Sequence, residues 1–391
     1  MTRHFGVALC ATIALSSSAA TAAAVETILY SFPARTDPLS RVEQLESGAL
    51  HGTTYSGDGL GTVYELSERQ GVWKLKTISE FSGSDGRNPI AGVTHDPNDV
   101  LWGTANFGGA SNFGTIYSLT PNGGQWTKNL IYSFTGGADG KWPQGNITRD
   151  TATGTLYGTT SAGGTVGCGT AFQVTPQKVV STLYTFRGGS DGCSPRTAMH
   201  NGAQAGTLLG STFSGGSANA GTIFELTQVN GQWSEGVLYA FTGGADGGVP
   251  TDSSVDKNGN VIGVTHNGGA YGHGTLFKLS PQGHQWHLAV LYSFKGTPDG
   301  ALPVGLSPGD NAKTIYITTE RGGTHNRGGI FKYSSSGGIG QETTVYSFGS
   351  AANDGAFPQS RINIEPKTGL IYGTTSRGGQ LGGGTVYQIA E

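Results

Sequence analysis

The stretch that decides the fold is Ile131 to Val174, IYSFTGGADGKWPQGNITRDTATGTLYGTTSAGGTVGCGTAFQV. Four short apolar runs lie within it, IYSF, PQGNIT, TLYGTT and GTAFQV, each bounded by Gly, Asp or Asn. Every run is too short for a helix and has the residue types of a strand. The same order returns along the chain. The position of Tyr132 recurs at Tyr30, Ser79, Tyr184, Tyr239, Tyr292 and Tyr346, with successive spacings of 49, 53, 52, 55, 53 and 54 residues. A fixed period of this size with four strands in each predicts the blades of a β-propeller.

We name the strand after the Pro A, the LYGTT-like strand B, the GTVF-like strand C and the LYSF-like strand D. Blades one to six then end near Phe81, Phe134, Phe186, Phe241, Phe294 and Phe348. The last blade supplies A near Pro358, B at LIYGTT and C at GTVYQI, and the sequence ends at Glu391 without a fourth strand. An unused LYSF-type strand, Glu26 to Phe32, lies at the other terminus. Pairing the two closes the ring and removes both sheet edges. The expectation is an all-β, seven-bladed β-propeller of four-stranded antiparallel blades, occupying residues 25–391 as one domain.

Before it, Arg3, the apolar run Phe5 to Leu15 and Ala22-Ala23-Ala24 read as a secretory signal peptide over residues 1–24. Leu9 before Cys10 is too large for lipoprotein processing, so the mature chain is expected outside the cytoplasm, extracellular or periplasmic. No later run is long and apolar enough to span a bilayer. Charged residues make up 13% of the chain and the net charge is −3, which leaves no footprint for nucleic acid. The 68 glycines are not spaced every third residue, so they serve turns and not a collagen helix. A monomer without cofactor is expected.

Cys168 falls in the B–C loop of blade three and Cys193 in the D–A loop leading into blade four. A four-stranded meander puts those loops at the same end of the ring, so a disulfide between neighbouring blades is expected. Within strand D, Trp126, Tyr132 and Phe134 are separated by even numbers, which predicts one shared face packed between blades. Each D–A loop carries an Asp-Gly, from Asp85-Gly86 to Asp354-Gly355, with Pro three residues on. One carboxylate per blade is too few for calcium, and each Asp is expected to cap its own turn.

The words LYGTTSAGG followed by GTAFQV, and IYGTTSRGG followed by GTVYQI, resemble the GloVer tandem repeat of bacterial choice-of-anchor proteins. The resemblance spans the mature chain. It implies a secreted or surface-displayed repeat protein and carries no activity across. The anchoring tail common in such proteins is not found after Glu391, so release is expected over attachment.

Function in a repeat sits in its exceptions. Where blade three has Ser161-Ala162 after strand B, blade five has His266-Asn267 with Tyr271 and His273 beyond. Blade six has Glu320-Arg321 with His325 and Arg327, and blade seven has Arg377. Tyr55, Phe107, Phe113 and Phe213 are aromatic exceptions in blades one, two and four. Aromatics beside Arg and His suit a glycan or a surface protein, and ligand binding without chemistry is the leading reading. The rival is a polysaccharide lyase. Arg321 or Arg327 would neutralise a uronate, and His266, Tyr271 or His273 would take the proton. A structural envelope protein is the third reading, with these residues as solvated loop tips. No metal site is expected: His284 and His287 are three apart but belong to the opposite end. No GxSxG nucleophile elbow, which would need a strand-to-helix turn, and no phosphate-binding GxxxxGK[ST] loop is expected. His200 in strand A of blade four reads as a buried structural histidine, or as one facing the channel.

Overall fold

The computed structural model describes residues 24–391 except 58, 284, 310–312 and 337–338. The signal-peptide reading with Cys10, and the reading of His284, therefore lie outside the described residues.

Strands A to D of blade one are Glu43–Gln44, Leu50–Thr54, Thr62–Arg69 and Val72–Glu80. Blade two is Thr94–His95, Leu101–Ala105, Thr115–Asn122 and Gln125–Ser133. Blade three is Thr148–Arg149, Leu156–Thr160, Thr170–Val174 and Val180–Thr185. Blade four is His200–Asn201, Thr207–Thr212, Thr222–Val229 and Gln232–Ala240. Blade five is Gly248–Val255, Val261–Asn267, Thr275–Gln282 and Gln285–Ser293. Blade six is Gly300–Pro308, Thr314–Gly322, Gly329–Ser336 and Ile339–Ser347. Blade seven takes A, B and C from Asn363–Ile364, Ile371–Thr375 and Gly382–Ala390, and its D strand is the N-terminal Val25–Pro33. That strand pairs antiparallel from Val25↔Ala390 to Pro33↔Gly382, so the ring closes as the repeat count requires.

The repeat words have direct physical causes. The Gly of LYGTT is needed because the aromatic of strand C packs over it: a Cβ on Gly158 would lie 2.4 Å from the Phe172 ring. The final Thr of strand B accepts the N–H of the first residue of strand C and pairs with its hydroxyl. For Thr160 and Thr170 these contacts are 3.0 and 2.9 Å. The core lies in layers between blades. One such layer joins Ile116 and Phe134 of blade two to Leu156, Phe172 and Val174 of blade three.

The shared face expected for Trp126 and Tyr132 is a correction. Strand D carries a β-bulge: Tyr132 pairs with Ile116 but Leu130 with Tyr117, leaving Ile131 unpaired. The extra residue reverses the alternation, so counting by twos fails across it. Trp126 packs toward blade one, and Tyr132 toward blade three with Phe134. The same bulge recurs in every blade. Both aromatics remain inter-blade core, now serving two junctions.

Cys168 and Cys193 form a disulfide, as their loop positions require. The Asp of each D–A turn accepts an N–H of its own turn. Asp139 takes that of Thr135 at 2.7 Å and Asp299 that of Lys295 at 2.9 Å. Most also accept the strand D tyrosine, as in Tyr239 to Asp246 at 3.0 Å.

Candidate functional site

The B–C and D–A loops are locked together by one residue per blade, the one before the Pro that opens strand A. Asp37, Asn88, Trp142, Ser194, Val249, Leu302 and Phe357 all have φ between 54° and 61°. None is Gly, and for a β-branched Val this conformation costs on the order of 1 kcal/mol or more. From blade two onward its N–H reaches the previous blade's B–C loop, as in Trp142 to the Phe113 carbonyl at 2.8 Å and Phe357 to Arg327 at 2.8 Å. Its carbonyl accepts from its own B–C loop, as in Ser161 to Trp142 at 3.1 Å. Hydrogen bonds on both sides hold the strained backbone and present seven varied side chains at the entrances of the A strands.

The candidate residues separate on this frame. His266 Nε2 lies 3.6 Å from Glu320 Oε2, and Arg321 Nε lies 3.9 Å from Glu320 Oε1. His266 first, against the cost of burial and with help from Gln359 and Arg321, holds the Glu320 carboxyl below its usual range. The Arg321 guanidinium stacks over Phe357 of blade seven at 4.4 Å. Similar stacks place Arg196 over Phe213 at 4.3 Å and Arg87 over Phe107 at 5.2 Å, with Phe107 edge-on to Trp142 at 6.1 Å. Arg377 is ion-paired with Asp37, and the Tyr55 N–H donates to the Asp37 carbonyl.

The remaining candidates do not join His266, Glu320 and Arg321. Tyr271 is 56% exposed and His325 is also an exposed tip. His273 lies against Gly296 and the stem of Arg327 against Gly349, each on the next D–A turn. Phe113 occupies the equivalent place against Gly136. Among the described residues neither His273 nor Arg327 makes a side-chain hydrogen bond or ion pair with the His266 group.

A second cluster, most of it unforeseen, lies deeper, where the A strands line the central channel. Arg361 of blade seven crosses blade six to Asp252 of blade five at 2.5 Å, and Asp252 also accepts the Leu306 N–H at 2.9 Å. Arg41 pairs with Glu43 at 3.0 Å, and His95 lies 3.3 Å from the other oxygen of Glu43. Burial alone would raise the Glu43 carboxyl, but Arg41 and His95 hold it below its ordinary value. Glu43 in turn raises His95. His200 does face the channel. Burial first, then Arg361 and Arg41, push its imidazole down to about 3, so it is neutral. A signal for this cluster was available: both arginines stand three residues after the opening Pro, where Gly92, Asn146 and Ala198 stand in blades two to four. Among the described residues no group of three or more His, Cys, Asp or Glu is placed to hold a metal.

The family follows from the repeat. A model described as the Gloeobacter/Verrucomicrobia repeat matches residues 14–204 and again 154–387. The chain belongs to that repeat family. No curated protein matches it. Solved structures similar to this repeat propeller include a hypothetical selenium-binding protein from Sulfolobus tokodaii. It is 10% identical with a TM-score of 0.56, over 80% of this chain and 76% of that one. A Lactobacillus plantarum protein is 14% identical with a TM-score of 0.55, over 88% and 99%. A candidate 6-phosphogluconolactonase from Bacteroides uniformis is 14% identical with a TM-score of 0.54, over 82% and 86%. At such identities the likeness is one of fold. Among the described residues no helix is long and apolar enough to cross a membrane.

Proposed function

We propose that this protein is secreted and binds an extracellular glycan at the mouth formed by its B–C and D–A loops, without chemistry. The observation that carries the reading is the set of guanidinium–aromatic stacks on that mouth, Arg87 on Phe107, Arg196 on Phe213 and Arg321 on Phe357. An aromatic face offers a sugar ring an apolar platform, and the adjacent guanidinium offers fixed donors for its hydroxyls or carboxylate. Phe357 stands on the strained, doubly hydrogen-bonded backbone, Phe107 exchanges two backbone hydrogen bonds with Arg87, and the Phe213 N–H donates to the Ser194 carbonyl, so the platform is held before the ligand arrives.

One observation favours the second reading, a uronate lyase: His266 is paired to Glu320 beside Arg321, an imidazole next to a cation that would bind the uronate. One incubation tests both. The mature protein is mixed with uronate-containing and neutral polysaccharides, and retained protein and new unsaturated ends are measured together. Retention without unsaturated ends, weakened at least tenfold by Arg321→Ala or Phe213→Ala, is expected. Unsaturated ends that vanish in His266→Ala would make the protein a lyase, and neither signal would refute glycan binding.

A further inference from the structure

Two cavities with a partly shared lining lie where the A strands meet at the centre of the ring. The outer, about 170 Å³, is lined by residues of all seven A strands or their entrances, and the inner, about 310 Å³, by His95, Thr148, Arg149 and His200 among others. Arg41, Asn146, Ala198 and Arg361 line both, so they form the waist. We propose that this waist is a second site, beyond the mouth, which takes the carboxylate of a sugar acid between Arg41 and Arg361 with the ring in the inner cavity.

Four observations converge on it. The Arg41 Nε and the His200 Nε2 are both buried with no hydrogen-bond partner, so a donor and an imidazole nitrogen stand unsatisfied in one small chamber. Leaving such groups unpaired in the interior is unfavourable, a cost that an oxyanion and a neighbouring hydroxyl would remove. Neighbouring strands also make room for the two arginines. A Cβ on Gly92 would lie 2.9 Å from the Arg41 carbonyl, and one on Gly305 2.4 Å from the Arg361 backbone, at glycines whose own φ is ordinary. Asp252 holds Arg361 through one oxygen and the Leu306 N–H through the other, and only 18% of the Arg361 side chain is exposed. Charge gives the ligand its class. Arg41, Arg149, Arg196 and Arg361 line the two cavities against Glu43 and Asp252, and Glu43 raises His95 toward its charged form, so positive charge is in excess. An anion suits that excess. The guanidinium fork also suits the planar carboxylate. The inner cavity is at the lower end of the volumes that hold small ligands, the size of one monosaccharide.

The test is calorimetric titration of the full mature chain with sodium glucuronate, with a glucuronate-ended oligosaccharide, and with glucose and inorganic phosphate as contrasts. Glucuronate or the oligosaccharide is expected to bind, and glucose and phosphate are not. Binding of the free acid alone assigns a small solute, and binding of the oligosaccharide assigns a chain end; both support the site. Arg41→Gln is expected to weaken binding at least tenfold. Asp252→Asn, which releases Arg361 from its competing carboxylate, is expected to tighten it several-fold, and a misfolded variant could not do so. The site is refuted if wild type takes up neither carboxylate, if phosphate binds in preference, if Arg41→Gln leaves affinity unchanged, or if folded Asp252→Asn binds more weakly.

Discussion

Glu26 stands on the N-terminal strand that closes the ring, and its carboxyl meets Asp354 and the Tyr346 hydroxyl of blade six. Burial first, and then Asp354, raise it to about 9. Glu235 is raised to about 8 by burial and Asp191, and Glu342 to about 7 by burial and Asp299. Three blade junctions therefore each hold a carboxyl that keeps its proton in the fold and loses it when unfolded. A group of this kind gives its full stabilisation below its unfolded value near 4.5 and loses it progressively as pH rises toward the folded value. Blade two shows the alternative solution, with Lys128 placed 2.6 Å from Asp85. Glu26→Gln keeps the shape and a donor toward Asp354 without a charge to lose. Denaturant midpoints should show it more stable than wild type at pH 8, with the gap closing toward pH 4.5. An equal gap at both pH values would contradict this account of the junction.

Among the elements, the loops of blade three are the ones fixed covalently. The Cys168–Cys193 bond spans 25 residues and ties the B–C loop to the turn that opens blade four. Closing a loop of that length contributes about 3 kcal/mol by restricting the unfolded chain. The double variant Cys168→Ala/Cys193→Ala should lose stability of that order in denaturant titrations and be insensitive to added thiol reductant, which should weaken wild type equally. A loss under about 1 kcal/mol would show that the bond adds little. Loop positions made this pairing legible, as the threonine ladder and the buried glycine made LYGTT legible. The bulge in strand D was not legible, because Ile131 is as apolar as its neighbours and only the pairing register reveals that it is skipped. Trp126 and Tyr132 were thus assigned to one face when they serve opposite ones.

The whole ring was readable because each blade repeats words dictated by packing and because the one spare strand lay where closure needs it. The mouth was readable in part: departures from the repeat led to His266, Glu320 and Arg321, which meet, and equally to Tyr271 and His325, which do not join them. Sequence position could not separate the two kinds, since the glycine-rich loops fix direction only after the residue before each Pro locks them to the adjoining blade. Arg41 and Arg361 were legible as exceptions three residues after the opening Pro, but Asp252 was not, because its pairing with Arg361 reaches across blade six and no spacing in the sequence announces it. The residue after the arginine position is core in blades one to four and seven, where Val42, Val93, Ile147, Met199 and Ile362 are all buried. The most direct test of the central claim is hydrogen exchange on the mature protein with and without a saturating polysaccharide that it retains. Protection should rise in the B–C loops 106–114, 213–221 and 323–328, at the end of strand B in 320–322, and in the turns leading to Pro143, Pro195 and Pro358. Protection confined to the A–B and C–D turns at the other end of the ring would contradict the account.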